Sequence, residues 1–295
     1  MKPTRIARQS PGNRMREAVA ARSIMPFIGV YDVFSASLAG RQFDSLFLSG
    51  FGFAASHYGL PDVGFITWSE MVYYVQRIRT VLPDHHILVD IDDGYCDVEV
   101  ACHVVSILET SGASGVVLED QERPRRCGHF DGKRIMALDD YLEKLNRVLE
   151  TRRDLFVVAR TDSSDMADIE RRVLAFAEAG ADAVLVDGLK SLEAASQLTR
   201  KIQQPFCFNQ IAGGKSPACT LTELGQAGIK LVIYSTPCLF AAQPAIENAL
   251  KAIQQADGSL ADSPIGVKDC NEVLQENLAR RTSPQIIVRP SERKQ

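Results

Sequence analysis

The chain has 295 residues, 45% of them apolar, and a net charge of −4. That composition supplies one large core, and without a global basic field it argues against a nucleic-acid partner. No apolar stretch reaches the ~18 residues of a membrane span, so no membrane partner is expected, and seven irregularly spaced cysteines without a C-x-x-C pair point away from a disulfide framework and to a reducing, cytoplasmic setting.

Basic residues gather at both ends, Lys2, Arg5, Arg8, Arg14 and Arg16, then Arg289, Arg293 and Lys294, and read as solvated tails. Asn13 is placed to cap a first helix, Met15 to Arg22. Eight short apolar runs follow: Pro26–Tyr31, Ser45–Ser49, Ile87–Asp92, Gly115–Glu119, Phe156–Arg160, Ala183–Asp187, Phe206–Asn209 and Leu231–Tyr234. Amphipathic segments separate them. Thr67–Glu70 and Thr220–Glu223 have capping-box spacing, and Asp97, Asp139 and Asp165 are cap candidates for three more helices.

Strand–helix alternation means parallel strands with crossover helices, and eight such units close into a (β/α)8 TIM-type barrel. A doubly wound open sheet is the competitor, but no G-x-G-x-x-G follows the first strand. Residues 1–255 are therefore expected to form the barrel with its N-terminal helix. Residues 256–295 would add a C-terminal helix near Lys268–Arg281 and a tail, the helix lying on its own barrel or reaching a neighbouring subunit.

In such a barrel the chemistry sits at the C-terminal strand ends. Those ends read Tyr31-Asp32, Ser49-Gly50, Asp90-Ile-Asp92, Glu119-Asp120, Arg160-Thr-Asp162, Asp187, Asn209 and Tyr234-Ser235. Asp90 and Asp92 are two apart, which on a strand sets them on one face. Two carboxylates side by side need a cation or a shared proton. With Glu119 they supply the hard oxygen donors that Mg²⁺ takes, whereas the lack of a His/Cys cluster disfavours zinc. Asp93 and Asp120 have loop capping as the plain alternative. Arg160 is a candidate guanidinium for substrate carboxylate oxygens.

The polar segment Glu119–Lys133 is a loop over the strand ends, with Gly128 and Gly132 giving it freedom. In it Cys127 lies between Arg126 and His129, a setting that lowers a thiol pKa; a surface cysteine in a basic loop is the other reading. Lys133 and Lys215 are expected to be solvated. His85, His86 and His103 read as structural or exposed, and Cys102, Cys207 and Cys238 as inert.

Ser49-Gly50, Leu60-Pro61-Asp62, the D-x-D-x-G-Y of Asp90–Tyr95, Glu119-Asp-Gln121, Arg126-Cys-Gly-His129, Ala159-Arg-Thr-Asp162 and Asn209 occur in one order. That order resembles the isocitrate lyase/phosphoenolpyruvate mutase superfamily over about residues 24–255. The R-C-G-H loop is most similar to 2-methylisocitrate lyases and carboxyphosphonoenolpyruvate phosphonomutases. The resemblance implies a barrel using Mg²⁺ (or Mn²⁺), 2-oxo or 2-hydroxy acid substrates, and a homotetramer that exchanges C-terminal helices. It implies that Asp90 holds the metal directly while Asp62, Asp92 and Glu119 act through its waters. Ser49, Gly50, Phe51 and Asn209 would bind substrate carboxylates and Arg160 substrate oxygens. Cys127 would protonate an enolate, and Arg126 and His129 belong to its loop.

Departures accompany the likeness. Arg125 stands where the lyases have lysine, Cys96 where relatives have glycine, Ala212 near a usual glutamate, and Asp187 in place of a longer acid. Lost groups for a third carboxylate shift the expectation from methylisocitrate itself to a smaller dicarboxylate, such as an alkylmalate or oxaloacetate, or to a phosphonate. Three functions follow: a Mg²⁺-dependent carbon–carbon lyase first, a phosphonomutase or phosphonopyruvate hydrolase second, and a non-catalytic relative third.

Overall fold

The computed structural model describes residues 9–260 and 263–282; the basic residues Lys2, Arg5, Arg8, Arg289, Arg293 and Lys294 lie outside them. Eight parallel strands close in chain order: β1 (Met25–Val30), β2 (Ser45–Leu48), β3 (His86–Asp90), β4 (Gly115–Glu119), β5 (Phe156–Thr161), β6 (Ala183–Val186), β7 (Phe206–Gln210) and β8 (Ile229–Tyr234), with β1 pairing β8 at Phe27 and Ile233. Their β-branched runs are almost wholly buried, as a sheet covered on both faces requires. The (β/α)8 expectation holds.

The helices are α1 (Pro11–Ala21), α2 (Val33–Ala39), α3 (Gly50–Phe53) with a π turn over Ala54–Tyr58, α4 (Trp68–Val81), α5 (Val98–Thr110), α6 (Leu138–Thr151), α7 (Met166–Glu178), α8 (Leu192–Thr199), α9 (Leu221–Gln226), α10 (Pro237–Gln255) and α11 (Val267–Thr282). Thr67 and Thr220 form capping boxes, and Asp97 and Asp165 accept from Val100 and Asp168 amides at 2.9 and 2.8 Å. Two caps differ from expectation. Ser10, not Asn13, caps α1, because Pro11 at the first helical position starts the helix earlier. Asp139 lies inside the first turn of α6, where its charge favours the helix N-terminus without capping it.

The barrel interior has two halves along its axis. Near the N-terminal strand ends Met25, Phe27, Leu88, Phe156 and Leu231 fill it, and α1 closes it with Met15 and Val19. Arg16 ties that plug down by donating to Asp182 at 2.7 Å and to the Leu155 carbonyl at 2.9 Å. Beyond the barrel, α11 lies against α2 and α4: Asn277 donates to Ser37 at 2.8 Å, and Val273 is buried. Among the described residues no helix is long and apolar enough to cross a membrane.

Candidate active site at the C-terminal strand ends

Four carboxylates converge at the ends of β2, β3 and β4. Ser49 caps α3, accepting from the Gly52 amide at 3.2 Å, and so places Gly50 at the rim. A Cβ on Gly50 would lie 3.4 Å from both Asp90 Oδ2 and Asp92 Oδ1 and 3.8 Å from Asp62 Oδ1. The missing side chain therefore leaves a small cradle bounded by carboxylate oxygens. Asp90 and Asp92 reach it differently from the strand-face expectation. Strand β3 ends at Asp90, and Asp92 sits in a left-handed turn at φ 51°, with Gly94 and Tyr95 at 84° and 73°. Aspartate is one of the few side chains that tolerates that conformation. The turn, not the pleat, brings the two acids together.

Arg125 enters this cluster from the loop after β4. It is 1% exposed, and its guanidinium bonds Asp62, meets Asp92 Oδ1 at 3.2 Å and donates to Glu119 Oε1 at 2.9 Å. Glu119 Oε2 is buried without a hydrogen bond, although Arg160 Nη2 lies 3.2 Å away. Burial pushes Asp90 and Asp92 above the usual carboxylate range and Glu119 up to about 7, against the pull of the two guanidiniums. Fully ionised, these four carboxylates would outnumber the two guanidiniums, an excess that protons or a further cation relieve. Among the described residues no three His, Cys, Asp or Glu side chains form a ready-made cation site; a guanidinium stands among these acids. The oxygen donors, the Gly50 cradle and the unbonded Glu119 oxygen fit Mg²⁺, which needs only one or two carboxylates and keeps its waters.

Across the pocket, Arg160 on β5 donates to both oxygens of Asp162 at 2.9 and 3.0 Å, and its Nη2 meets Asp187 Oδ2 at 2.8 Å. Burial alone would raise Asp187, but Arg160 and His129 beside it hold its carboxyl below the usual range. Asn209 donates to Asp187 at 2.8 Å and accepts from Ser235 at 2.6 Å. His129 Nδ1 accepts from the Lys215 amide at 3.0 Å, which assigns the proton to Nε2, facing Asp187 Oδ1 at 3.5 Å.

The loop between β4 and α6 lies down on this network. A Cβ on Gly128 would sit 1.9 Å from Asp187 Oδ2 and 2.7 Å from Arg160 Nη2, so only glycine permits the contact. Gln121 clamps the loop by accepting from the Arg126 amide at 2.9 Å and donating to its carbonyl at 2.7 Å. Lys133, expected in solvent, instead donates to the Gly128 carbonyl at 2.5 Å and to Asp162 at 3.1 Å. Lys215 likewise has partners, in Asp131 and the Phe130 carbonyl.

Cys127 lines the pocket with Ser49, Phe51, Asp62, Asp90 and Arg160. Its thiol is pushed up to about 12, chiefly by burial, the reverse of the lowering expected from its basic neighbours. The Arg126 side chain is exposed, away from the pocket lining, and reaches the Asp131 carbonyl at 3.4 Å. Enclosed space among the lining residues is ≈ 30 Å³, enough for one or two waters. A cavity of ≈ 540 Å³ adjoins it, sharing Gly128 and Asp187.

Of the expected site residues, Ser49, Gly50, Phe51, Asp62, Asp90, Asp92, Glu119, Cys127, His129, Arg160, Asp187 and Asn209 come together, and Arg126 stands apart. Asp93 and Asp120 are structural: Asp93 takes both donors of Arg123 at 2.8 Å, and Asp120 accepts from Arg172 at 3.1 Å and from the Asp162 amide at 2.9 Å. Arg125, Gln121 and Asp162 also belong to the site, beyond the residues expected from sequence. For Asp162 the i, i+2 spacing from Arg160 was the available signal.

Residues 16–254 match the family model for phosphoenolpyruvate phosphomutase. A 2-methylisocitrate lyase from Aeropyrum pernix is 34% identical over 251 residues, 84% of this chain and 81% of that protein. The solved structure of a 2,3-dimethylmalate lyase superposes with a TM-score of 0.87 at 27% identity, covering 92% of this chain and 94% of the other. That of oxaloacetate acetylhydrolase with the inhibitor 3,3-difluorooxalacetate gives 0.86 at 28%, covering 92% and 95%. With most of the barrel matched and the motif residues gathered at one end of it, the chain belongs to the phosphoenolpyruvate phosphomutase family, within the isocitrate lyase/phosphoenolpyruvate mutase superfamily.

Proposed function

We propose that the protein is a Mg²⁺-dependent carbon–carbon lyase acting on a small 2-hydroxy or 2-oxo dicarboxylate. The observation that carries this reading is that one pocket is lined together by the Cys127 thiol, the Arg160 guanidinium and the carboxylates of Asp62 and Asp90. Asp90 would hold the cation, with Asp62, Asp92 and Glu119 on its waters, and when bound the cation would supply charge stabilisation for developing negative oxygen. Ser49, Asn209 and the Gly50–Phe51 backbone orient the substrate carboxylates. Arg160, held in place by Asp162 and Asp187, offers positive charge where an enolate or aci-carboxylate develops. Cys127 then delivers a proton to carbon. Its raised pKa suits this role, because a proton donor must be protonated at neutral pH and an enolate carbon is far more basic than a thiolate.

The thiol favours this reading only over a mutase that rejoins carbon and phosphorus without protonating carbon; a phosphonopyruvate hydrolase, which also leaves an enolate, is separated from it by the assay below. Similarity to a 2-methylisocitrate lyase, a 2,3-dimethylmalate lyase and oxaloacetate acetylhydrolase supports the same choice. All seven cysteines are free, which supports a reducing, cytoplasmic setting. A homotetramer is part of the proposal, with α10 a candidate contact because none of its residues is buried and Ile246 and Leu250 are 58% and 63% exposed.

The test is a panel of alkylmalates, methylisocitrate and oxaloacetate, assayed with Mg²⁺ for 2-oxo acid or oxalate release. Turnover of at least one dicarboxylate is expected. Inactivity on the whole panel, with phosphate released from phosphonopyruvate, overturns the reading.

A further inference from the structure

Arg125 does something that the family reading leaves unexplained. It comes from the loop over the strand ends, yet it is among the largest fully buried side chains of the described residues. Its Nη1 bonds Asp62 Oδ1 and its Nη2 lies 3.2 Å from Asp92 Oδ1. Those are the same two oxygens that face the Gly50 cradle beside Asp90 Oδ2. Its Nε takes Glu119 Oε1, leaving only Oε2 of that acid without a hydrogen bond. A divalent ion's waters and this guanidinium therefore require the same acceptors. A planar fork with fixed donors engages two of them at once, which a single ammonium on a flexible stem does not do.

The same arginine fastens the loop. Two residues on, Cys127 lines the pocket, and Gly128 touches Asp187 and Arg160. With Arg125 seated, the space among the lining residues is ≈ 30 Å³, room for one or two waters.

We propose that Arg125 is a tethered internal cation that competes with the divalent metal for Asp62 and Asp92, so that metal binding releases Arg125 and lifts the loop carrying Cys127. The loop is then free to admit substrate and to close again over an occupied site. The inference rests on the divalent-cation reading above. It concerns which residue yields to the cation, not which substrate is cleaved. Energetically it is a population shift: a metal that needs Arg125 out binds more weakly by the fraction of molecules in which Arg125 is out.

The experiment has two arms. Mn²⁺ affinity is measured by electron paramagnetic resonance for the wild type, Arg125→Lys and Arg125→Ala, with circular dichroism reporting the fold. Alkylation of Cys127 in the wild type is followed by peptide mass mapping with Mn²⁺ and with chelator. Competition predicts Mn²⁺ binding at least about tenfold tighter in both variants and faster Cys127 alkylation with Mn²⁺. Arg125→Lys separates competition from simple repulsion, because it keeps the charge and loses the fork. An unchanged or weaker Mn²⁺ affinity in Arg125→Lys overturns the inference while leaving the cation site standing. So does Cys127 alkylation that Mn²⁺ slows or leaves unchanged, which needs no variant to fold. Failure of every form to bind Mn²⁺ overturns both this inference and the cation in the proposed function.

Discussion

The two ends of the barrel solve opposite problems with the same eight strands. At the N-terminal end, Met25, Phe27, Phe156 and Leu231 meet Met15 and Val19 of α1 in an apolar plug. Burial there removes apolar surface from water and needs no partner chemistry. At the C-terminal end, Asp62, Asp90, Asp92, Glu119, Asp162 and Asp187 are buried with Arg125, Arg160 and Lys133 in attendance. Burying charge costs free energy unless each group is paired, so at that end every acid must find a guanidinium, an ammonium or a proton. The contrast follows a general property of these barrels, stability at the bottom and chemistry at the top.

Substitutions can break this division. The largest effect expected is at the top: Cys127→Ser should lower turnover by about 10²–10⁴-fold, the worth of a positioned proton donor, with the melting temperature unchanged. Near-normal rates would return Cys127 to a surface-loop role. Next comes the bottom. Phe156→Ala, at a position 2% exposed, should cost about 3–5 kcal/mol of stability in denaturant unfolding. It should leave the Mn²⁺ affinity of the folded protein alone, and a parallel loss of affinity would show that the two ends are not independent. Asp90→Ala should then weaken Mn²⁺ binding by about a hundredfold, since outer contacts alone are worth 10–100-fold; unchanged binding would move the cation elsewhere.

The smallest effect is a pH dependence carried by the bottom. His86 opens β3, is 8% exposed, and burial lowers its pKa from 6.5 to about 4. The unfolded chain takes the proton first, so this contribution is intact above about pH 6.5 and is lost as pH falls toward 4. Replacing His86 by Gln should flatten the unfolding midpoint across that window, and an unaltered slope would assign the dependence to other groups.

Much of this arrangement is legible in the sequence. Eight apolar runs ending in polar residues gave both the barrel and its working end, because strand burial and strand termination leave separate marks in composition. Helix starts are readable where one side chain does the capping, as at Asp97 and Asp165, and are misread where a neighbour competes. Pro11 pulled the start of α1 back to Ser10, and Asn13 instead donates to Asp154 at 3.1 Å. What stayed hidden depends on the path of one loop. Arg125 and Arg126 are adjacent and chemically alike, yet one is buried among carboxylates and the other faces solvent. Nothing local distinguishes them, and the acids that select Arg125 come from three other segments. Cys127 was misjudged for the same reason: its neighbours in sequence are basic, but its surroundings in space are desolvating. Asp90 and Asp92 were brought together correctly by a wrong route, since a left-handed turn does what the pleat was expected to do.

The central claim is that this end of the barrel cleaves a carbon–carbon bond and that the carbon left behind is protonated on the enzyme. Proton NMR and mass spectrometry of the products formed in D₂O, with whichever panel dicarboxylate turns over, test it most directly. The account predicts one deuterium per molecule at the carbon next to the carboxylate of the product that inherits the carbanion. Products that carry no deuterium there, or turnover that splits no carbon–carbon bond, would contradict it.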